Sequence, residues 1–274
     1  MLAGVRAAAA AGYATLQRGA TALDAVVAAV RVLEDDPEFG AGIGSSLTRE
    51  NTVETCASVM DGATRRAGAV AAVPNIAAPV ILARAIMERG EQVLLAGHAA
   101  LELAAEIGIR SAAPNALVTP RAHAQLQEVR AKGPTAIPTD GGGVGAVAMD
   151  SAGNYAAATS TGGTVFRRSG CVDDSSVPGI GTWADKNVAI STSGGEAIFR
   201  VALAHNIARR VADGASLRGA AKDALKELRE LAPNAVAGAI MVGKNSWAAL
   251  QIGPTMPVAW IDAAGPNASI GFPV

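Results

Sequence analysis

The sequence predicts an α+β fold: a four-layer αββα sandwich, two sheets face to face with helices over both outer faces. Three observations carry that expectation. Amphipathic helices come in pairs rather than singly between strands. The strands come as hairpins, which antiparallel sheets allow and parallel sheets do not. The first hairpin is apolar nearly throughout, so its sheet needs cover on both faces. All 274 residues, 1–274, are read as one domain. A chain of that length buries roughly three quarters of its unfolded surface. Half of the residues are hydrophobic but only 3% are aromatic, so Ala, Val, Leu and Ile must build the core.

In chain order, residues 1–18 read as a helix, Tyr13, Gln17 and Arg18 giving it a polar face. The next helix opens at Thr21, which forms a capping-box pair with Asp24. Leu23, Val26, Val27, Val30 and Leu33 then recur at helical spacing, and Pro37 ends the run. A glycine-rich loop, FGAGIGSSLT, follows. Residues 52–60 and 67–73 read as short strands. Pro79 opens a helix at the position where proline is best tolerated. VLLAGHAALELAAEIG gives a short strand and a helix. Residues 111–142, a polar helix followed by PTAIPTDGGG, read as a linker. VGAVAMD and NYAAATS form a hairpin about SAG. NVAIST is another strand, GGEAIFRVALAHNIARRVADG one long helix, and residues 216–231 another. AVAGAIMVG and SWAALQIG form a hairpin about KN, and a final strand lies near PVAWI.

Composition narrows the function. Net charge is −1, and the pairs Arg65-Arg66, Arg167-Arg168 and Arg209-Arg210 are too scattered for a basic patch, so nucleic acid is not an expected partner. No apolar run reaches the eighteen or so residues of a membrane span. The Ala-rich start reads better as a fold helix than as a signal peptide, and a cytoplasmic location is expected. Cys56 and Cys171 are too few for a disulfide framework, and His98, His123 and His205 are isolated, so these residues form no metal or triad pattern.

Five ordered segments carry a resemblance: ALDAVVAAVRVLEDDPEFGAGIGS, VMDGATRRAGAVAAV, NIAAPVILARAIME, VGAVAMDSAGNYAAATSTGG and STSGGEAIFR. Together they resemble the type 2, plant-type L-asparaginase and isoaspartyl peptidase family over nearly the whole chain. The resemblance implies the N-terminal nucleophile hydrolase version of the αββα sandwich. It implies a precursor that cuts itself before a threonine whose hydroxyl is the nucleophile and whose freed α-amine is the base. Substrates of such enzymes carry a β-aspartyl amide.

Carried over residue by residue, the implied site is altered. The nucleophile falls on Gly143, which has no hydroxyl, and Thr139 lies upstream of it. Thr161 matches the supporting threonine. The arginine that grips the substrate α-carboxylate falls on Cys171, so a bidentate ion pair gives way to a thiol. Asp174 matches the residue that binds the substrate α-amine. Ser193 and Gly194 match the next pocket segment, shortened. Gly40 stands where the family has asparagine, and the family's first strand has no counterpart before Met1. Leu33, Glu34, Asp36, Phe39, Ala41 and Ile43 match the family's loop of sodium-binding carbonyls, which implies a structural sodium. A homodimer and a small-molecule ligand are implied likewise. Three functional readings stay open: an uncut pseudoenzyme; an enzyme with new chemistry, for instance at a Cys171 or Cys56 thiol; and an L-asparaginase or isoaspartyl peptidase seen as a nucleophile-less variant.

Overall fold

The second helix shows how closely local chemistry sets the elements. In α2 (Ala22–Asp35) the Thr21 hydroxyl accepts from Asp24 N at 3.2 Å, and the Asp24 carboxylate accepts from Thr21 N at 3.1 Å. This is the capping box read from the sequence. Before it, α1 (Leu2–Gln17) lies close on α2, because a Cβ at Gly12 would stand only 3.0 Å from Ala25 O. The computed structural model describes residues 1–113, 115–133, 142–253 and 255–274. The linker segment 134–141, with Thr139, lies outside the described residues.

The first sheet contains β1 (Glu54–Asp61), β2 (Ala67–Pro74), β3 (Leu94–Ala96), β4 (Val144–Met149) and β5 (Tyr155–Thr161), in the order β3-β2-β1-β5-β4. Its pairs are antiparallel except β2 with β3. The second sheet contains β6 (Thr182–Ala184), β7 (Val188–Ser193), β8 (Ala237–Gly243) and β9 (Ser246–Ile252), antiparallel in that order. On the outer side of the first sheet lie α2, α3 (Pro79–Arg89) and α4 (Gly97–Glu106). On the outer side of the second lie α7 (Leu203–Ala212) and α8 (Leu217–Leu231). The four αββα layers expected from the sequence are therefore present. A further helix, α5 (Pro120–Lys132), is capped by Thr119 and lies in the linker region.

Each outer interface has its own apolar core. Val26, Val30, Val59, Val70 and Ile86 fill one; Ile190, Leu203, Ile207, Leu225 and Met241 fill the other. At roughly 25 cal/mol per Å² of apolar surface removed from water, these layers supply the main drive to fold. Between the sheets the side chains are smaller, with Ala157, Ala184 and Ala189 beside Met60 and Tyr155. Among the described residues no helix is long and apolar enough to cross a membrane.

Three expectations need correction. The long helix over 194–214 is broken into α6 (Glu196–Phe199) and α7, with Ala202 at φ 46° between them. The break has a donor-side cause: Ala204 N and His205 N donate to Ile180 O and Gly179 O instead of continuing the helical ladder. The final strand β10 (Pro257–Asp262) has an unforeseen partner, β11 (Gly265–Ile270). Its Pro266 and Asn267 disguise it, and the pair forms a separate two-stranded hairpin. The apolar hairpin strands were expected to be covered alike. β5 is buried throughout, but β4 is only half-buried, since it is the edge strand and borders a cavity.

Candidate functional site

The cavity, about 1380 Å³, opens where the ends of β4, β5 and β7 meet the loop after α2. Its wall includes Gly40, Gly143, Thr159, Ser191, Ser193 and Gly194. Strand pairing explains part of the convergence: Val144 is opposite Ser160, which puts Gly143 beside the end of β5 at Thr161. A Cβ at residue 143 would lie 3.3 Å from Ser193 Oγ, 3.5 Å from Ser160 O and 3.6 Å from Thr161 Cβ. A Cβ there would press on Ser193 Oγ and make ordinary contact with Ser160 and Thr161.

Gly40 is a different case. A Cβ there would lie 2.5 Å from Gly142 Cα and 2.7 Å from Gly142 C, well inside van der Waals contact. The backbone just before Gly143 thus takes the room an asparagine side chain would need. The Gly40 carbonyl accepts from Gly162 N at 2.6 Å, which ties this loop to the end of β5.

Beside Gly145, which pairs with Thr159, runs a file of buried hydroxyls whose linkage the sequence does not show. Ser58 Oγ donates to Thr182 Oγ1, Thr182 Oγ1 to Thr159 Oγ1, and Thr159 Oγ1 pairs with Ser191 Oγ, each at 2.7 Å. Thr159 Oγ1 also donates to Gly181 O at 2.9 Å. Given that donor assignment, Ser191 supplies the proton of its own bond, and every hydroxyl in the file is paired. The file crosses from the first sheet to the second and ends at the cavity wall. Thr161, one register step away, accepts from Gly163 N at 2.9 Å.

Asp174 is almost wholly buried, and its carboxylate is turned onto backbone. It accepts from Gly194 N and Gly195 N at 3.0 Å each and from Ser175 N at 2.8 Å. Burial, reinforced by the adjacent Asp173, holds its carboxyl well above the usual carboxylate range. In this arrangement Asp174 shapes the Ser193–Gly195 turn, and it does not line the cavity.

Cys171 does not line the cavity either. Its thiol lies 3.8 Å from Glu196 Oε1, and burial together with that carboxylate pushes its pKa up. Arg167, the neighbouring cation, donates instead to Gly162 O and Glu54 O. Cys56 is fully buried, and burial raises its thiol too. Burial thus disfavours the thiolate at both cysteines, while Arg167 acts the other way at Cys171. Burial is the largest cause at both, and at Cys171 the Glu196 and Asp173 carboxylates, which the sequence reading passed over, add to it.

The loop after α2 brings main-chain oxygen together. Asp36 N donates to Leu33 O, Phe39 N to Asp36 O and Gly44 N to Ala41 O. A Cβ on Gly42 would lie 2.7 Å from Ala77 O and 2.8 Å from the Glu34 carbonyl carbon, so the turn is tightly wrapped. At φ 55° Gly42 also has a backbone conformation that favours glycine. The Glu34 side chain lies at the base of this loop with no solvent exposure. Its Oε1 accepts from Ser160 Oγ at 2.7 Å and Val80 N at 3.0 Å, while Oε2 has no hydrogen-bond partner and stands 3.8 Å from Arg31. Burial outweighs these bonds and raises the carboxyl from 4.5 to about 8.

Comparison with known proteins fits this geometry. A family model for asparaginase matches residues 1–265. The isoaspartyl peptidase/L-asparaginase of Mus musculus is 42% identical over 262 residues, covering 93% of this chain and 80% of that protein. The Homo sapiens protein of the same name is 41% identical, covering 93% of this chain and 85% of its own length. The isoaspartyl peptidase of Salmonella typhimurium is 44% identical over 208 residues, covering 72% of this chain and 66% of its own length.

Proposed function

The chain belongs to the asparaginase family, and on that premise we propose that it binds a small amide- or amino-acid-derived ligand without hydrolysing it. One observation carries the proposal. Residue 143, which Ser193, Ser160 and Thr161 surround, is glycine, so the polar neighbours are in place around a position that carries no side chain. Acyl transfer by this family's route needs a hydroxyl oxygen to attack the amide carbon and an α-amine to take its proton. Glycine has no such oxygen. Self-cleavage before residue 143 would need the same oxygen, so the chain stays in one piece on this reading.

A second reading has its own support. A Cβ at 143 would press only on Ser193 Oγ, at 3.3 Å, the end of a short side chain, which favours a pocket still shaped for β-aspartyl amides. Ammonia release from Asn and Asp release from β-aspartyl dipeptides, measured for the native chain and for Gly143→Thr, separate the two. The proposal expects no turnover from the native chain, and turnover there would overturn it. Activity gained by Gly143→Thr would favour the second reading.

Two further properties belong to the proposal. The carbonyls of Leu33, Glu34, Asp36, Phe39, Ala41 and Ile43 are neutral oxygen donors in a tight turn, a donor type that suits a hard cation such as sodium. Sodium chloride should then raise the unfolding temperature more than tetramethylammonium chloride at equal ionic strength. Assembly as a homodimer is proposed from the resemblance, and light scattering tests it.

A further inference from the structure

We infer that Arg121 supplies a carboxylate-binding cation for this cavity, in place of the arginine that position 171 lacks. The inference rests on the reading of the cavity as a small-ligand site.

Arg121 is the only Arg or Lys whose side chain lines the cavity among the described residues. It stands in the first turn of α5, just after the Thr119 cap and Pro120. Its guanidinium reaches across to the loop after α2, where Nη1 donates to Glu38 O at 2.6 Å and Nη2 donates to Phe39 O at 3.4 Å and Gly44 O at 3.3 Å. These anchors flank Gly40, whose backbone packs on Gly142, next to Gly143. The cation is therefore fixed at the end of the cavity where the altered site lies.

Its charge is held but not cancelled. The three anchors are neutral carbonyls, and among the described residues Arg121 forms no ion pair with a carboxylate. A guanidinium has five N–H groups, and these bonds use three. The residue is solvent-exposed, so the others remain accessible. A pre-positioned guanidinium with spare donors is suited to a carboxylate, which it can meet with charge-assisted bonds. By contrast, Cys171 has the Glu196 and Asp173 carboxylates near it, and the Arg167 cation beside it is already bonded to Gly162 O and Glu54 O. A ligand carboxylate would thus bind on the α5 side of the cavity.

The test is isothermal titration of the full chain with two probes of the same shape, succinate and its neutral diamide, succinamide. The native protein should prefer succinate about tenfold, the scale of one charge-assisted hydrogen bond. Arg121→Gln should erase that preference, and Arg121→Lys should keep part of it, because the charge stays while the fork is lost. The preference is a ratio within one protein, so partial unfolding of a variant does not mimic its loss. A native protein with no preference, or one that binds neither probe, would overturn the inference while leaving the absence of hydrolysis untouched. So would an Arg121→Gln protein that keeps the preference. Turnover of Asn by the native chain alongside an Arg121-dependent preference would overturn the non-hydrolytic reading and leave this inference standing.

Discussion

Replacing Glu34 by Gln should flatten the pH dependence of stability. Glu34 is fully buried beneath the end of β5, its Oε1 bonded to Ser160 and Val80. Its carboxyl ionises near 4.5 in the unfolded chain and near 8 in the folded one. Between those values the native state keeps a proton that the unfolded state has released. Stability contributed by this group is complete below about 4.5 and is lost as pH rises through about 8. At about 1.4 kcal/mol per pH unit, the full window amounts to roughly 5 kcal/mol, an upper figure because relaxation and water entry soften burial. Gln keeps the acceptor oxygen for Ser160 and Val80 but cannot ionise. Urea unfolding of both proteins from pH 5 to 8 measures the effect. The native stability should fall toward the alkaline side relative to Glu34→Gln, with the two curves diverging by a few kcal/mol. Asp174 is also raised by burial and adds a slope of the same sign, but it is present in both proteins and cancels in the difference. Parallel curves would refute the reasoning and mean that Glu34 is ionised in the folded chain.

Other predictions follow from the same corner of the molecule. Thr159→Val removes the central hydroxyl of the buried file and leaves the Thr182 and Ser191 hydroxyls short of partners. It should cost about 2–3 kcal/mol in urea unfolding, and a cost under about 0.5 kcal/mol would mean the file is replaceable. Gly143→Thr and Gly40→Asn should differ sharply: the first Cβ meets only Ser193 Oγ closely, at 3.3 Å, and should change stability by about 1 kcal/mol or less, while the second meets the Gly142 backbone and should cost several kcal/mol. Comparable costs for the two would contradict the packing described. Cys171 should react slowly with iodoacetamide at pH 7, because burial and Glu196 disfavour its thiolate. Cys171→Ser should leave ligand binding unchanged, whereas fast alkylation at neutral pH would restore the thiol hypothesis.

Much of this fold is legible because local chemistry and global packing agree. Thr21 and Asp24 announce a helix start, and Asp150, Gly153 and Asn154 announce a turn: the Asp150 carboxylate accepts from Ala152 N and Asn154 N. The misreadings have local causes as well. Ala202 looks like helix interior, and only the 179–180 loop, distant in sequence, takes the amides that break it. Pro266 and Asn267 look like loop, yet pairing with Ile261 and Trp260 makes them strand. At the site, the resemblance marks Gly143, Thr161 and Ser193, and the structure brings these three together. It does not reveal that Asp174 faces backbone or that Cys171 faces Glu196, since one sequence does not state where a side chain points. Arg121 is likewise invisible, because a helix in a polar linker gives no hint that its first turn reaches a loop 77 residues upstream.

The central claim is that glycine at 143 leaves this chain without its family's hydrolytic step, and the same missing oxygen would be needed for self-cleavage. The most direct measurement is the intact mass of freshly purified native protein, read with ammonia release from Asn on the same sample. A single species near 27.3 kDa with no ammonia is the result this account predicts. Two fragments meeting between residues 142 and 143, with ammonia released, would contradict it and require a nucleophile other than residue 143.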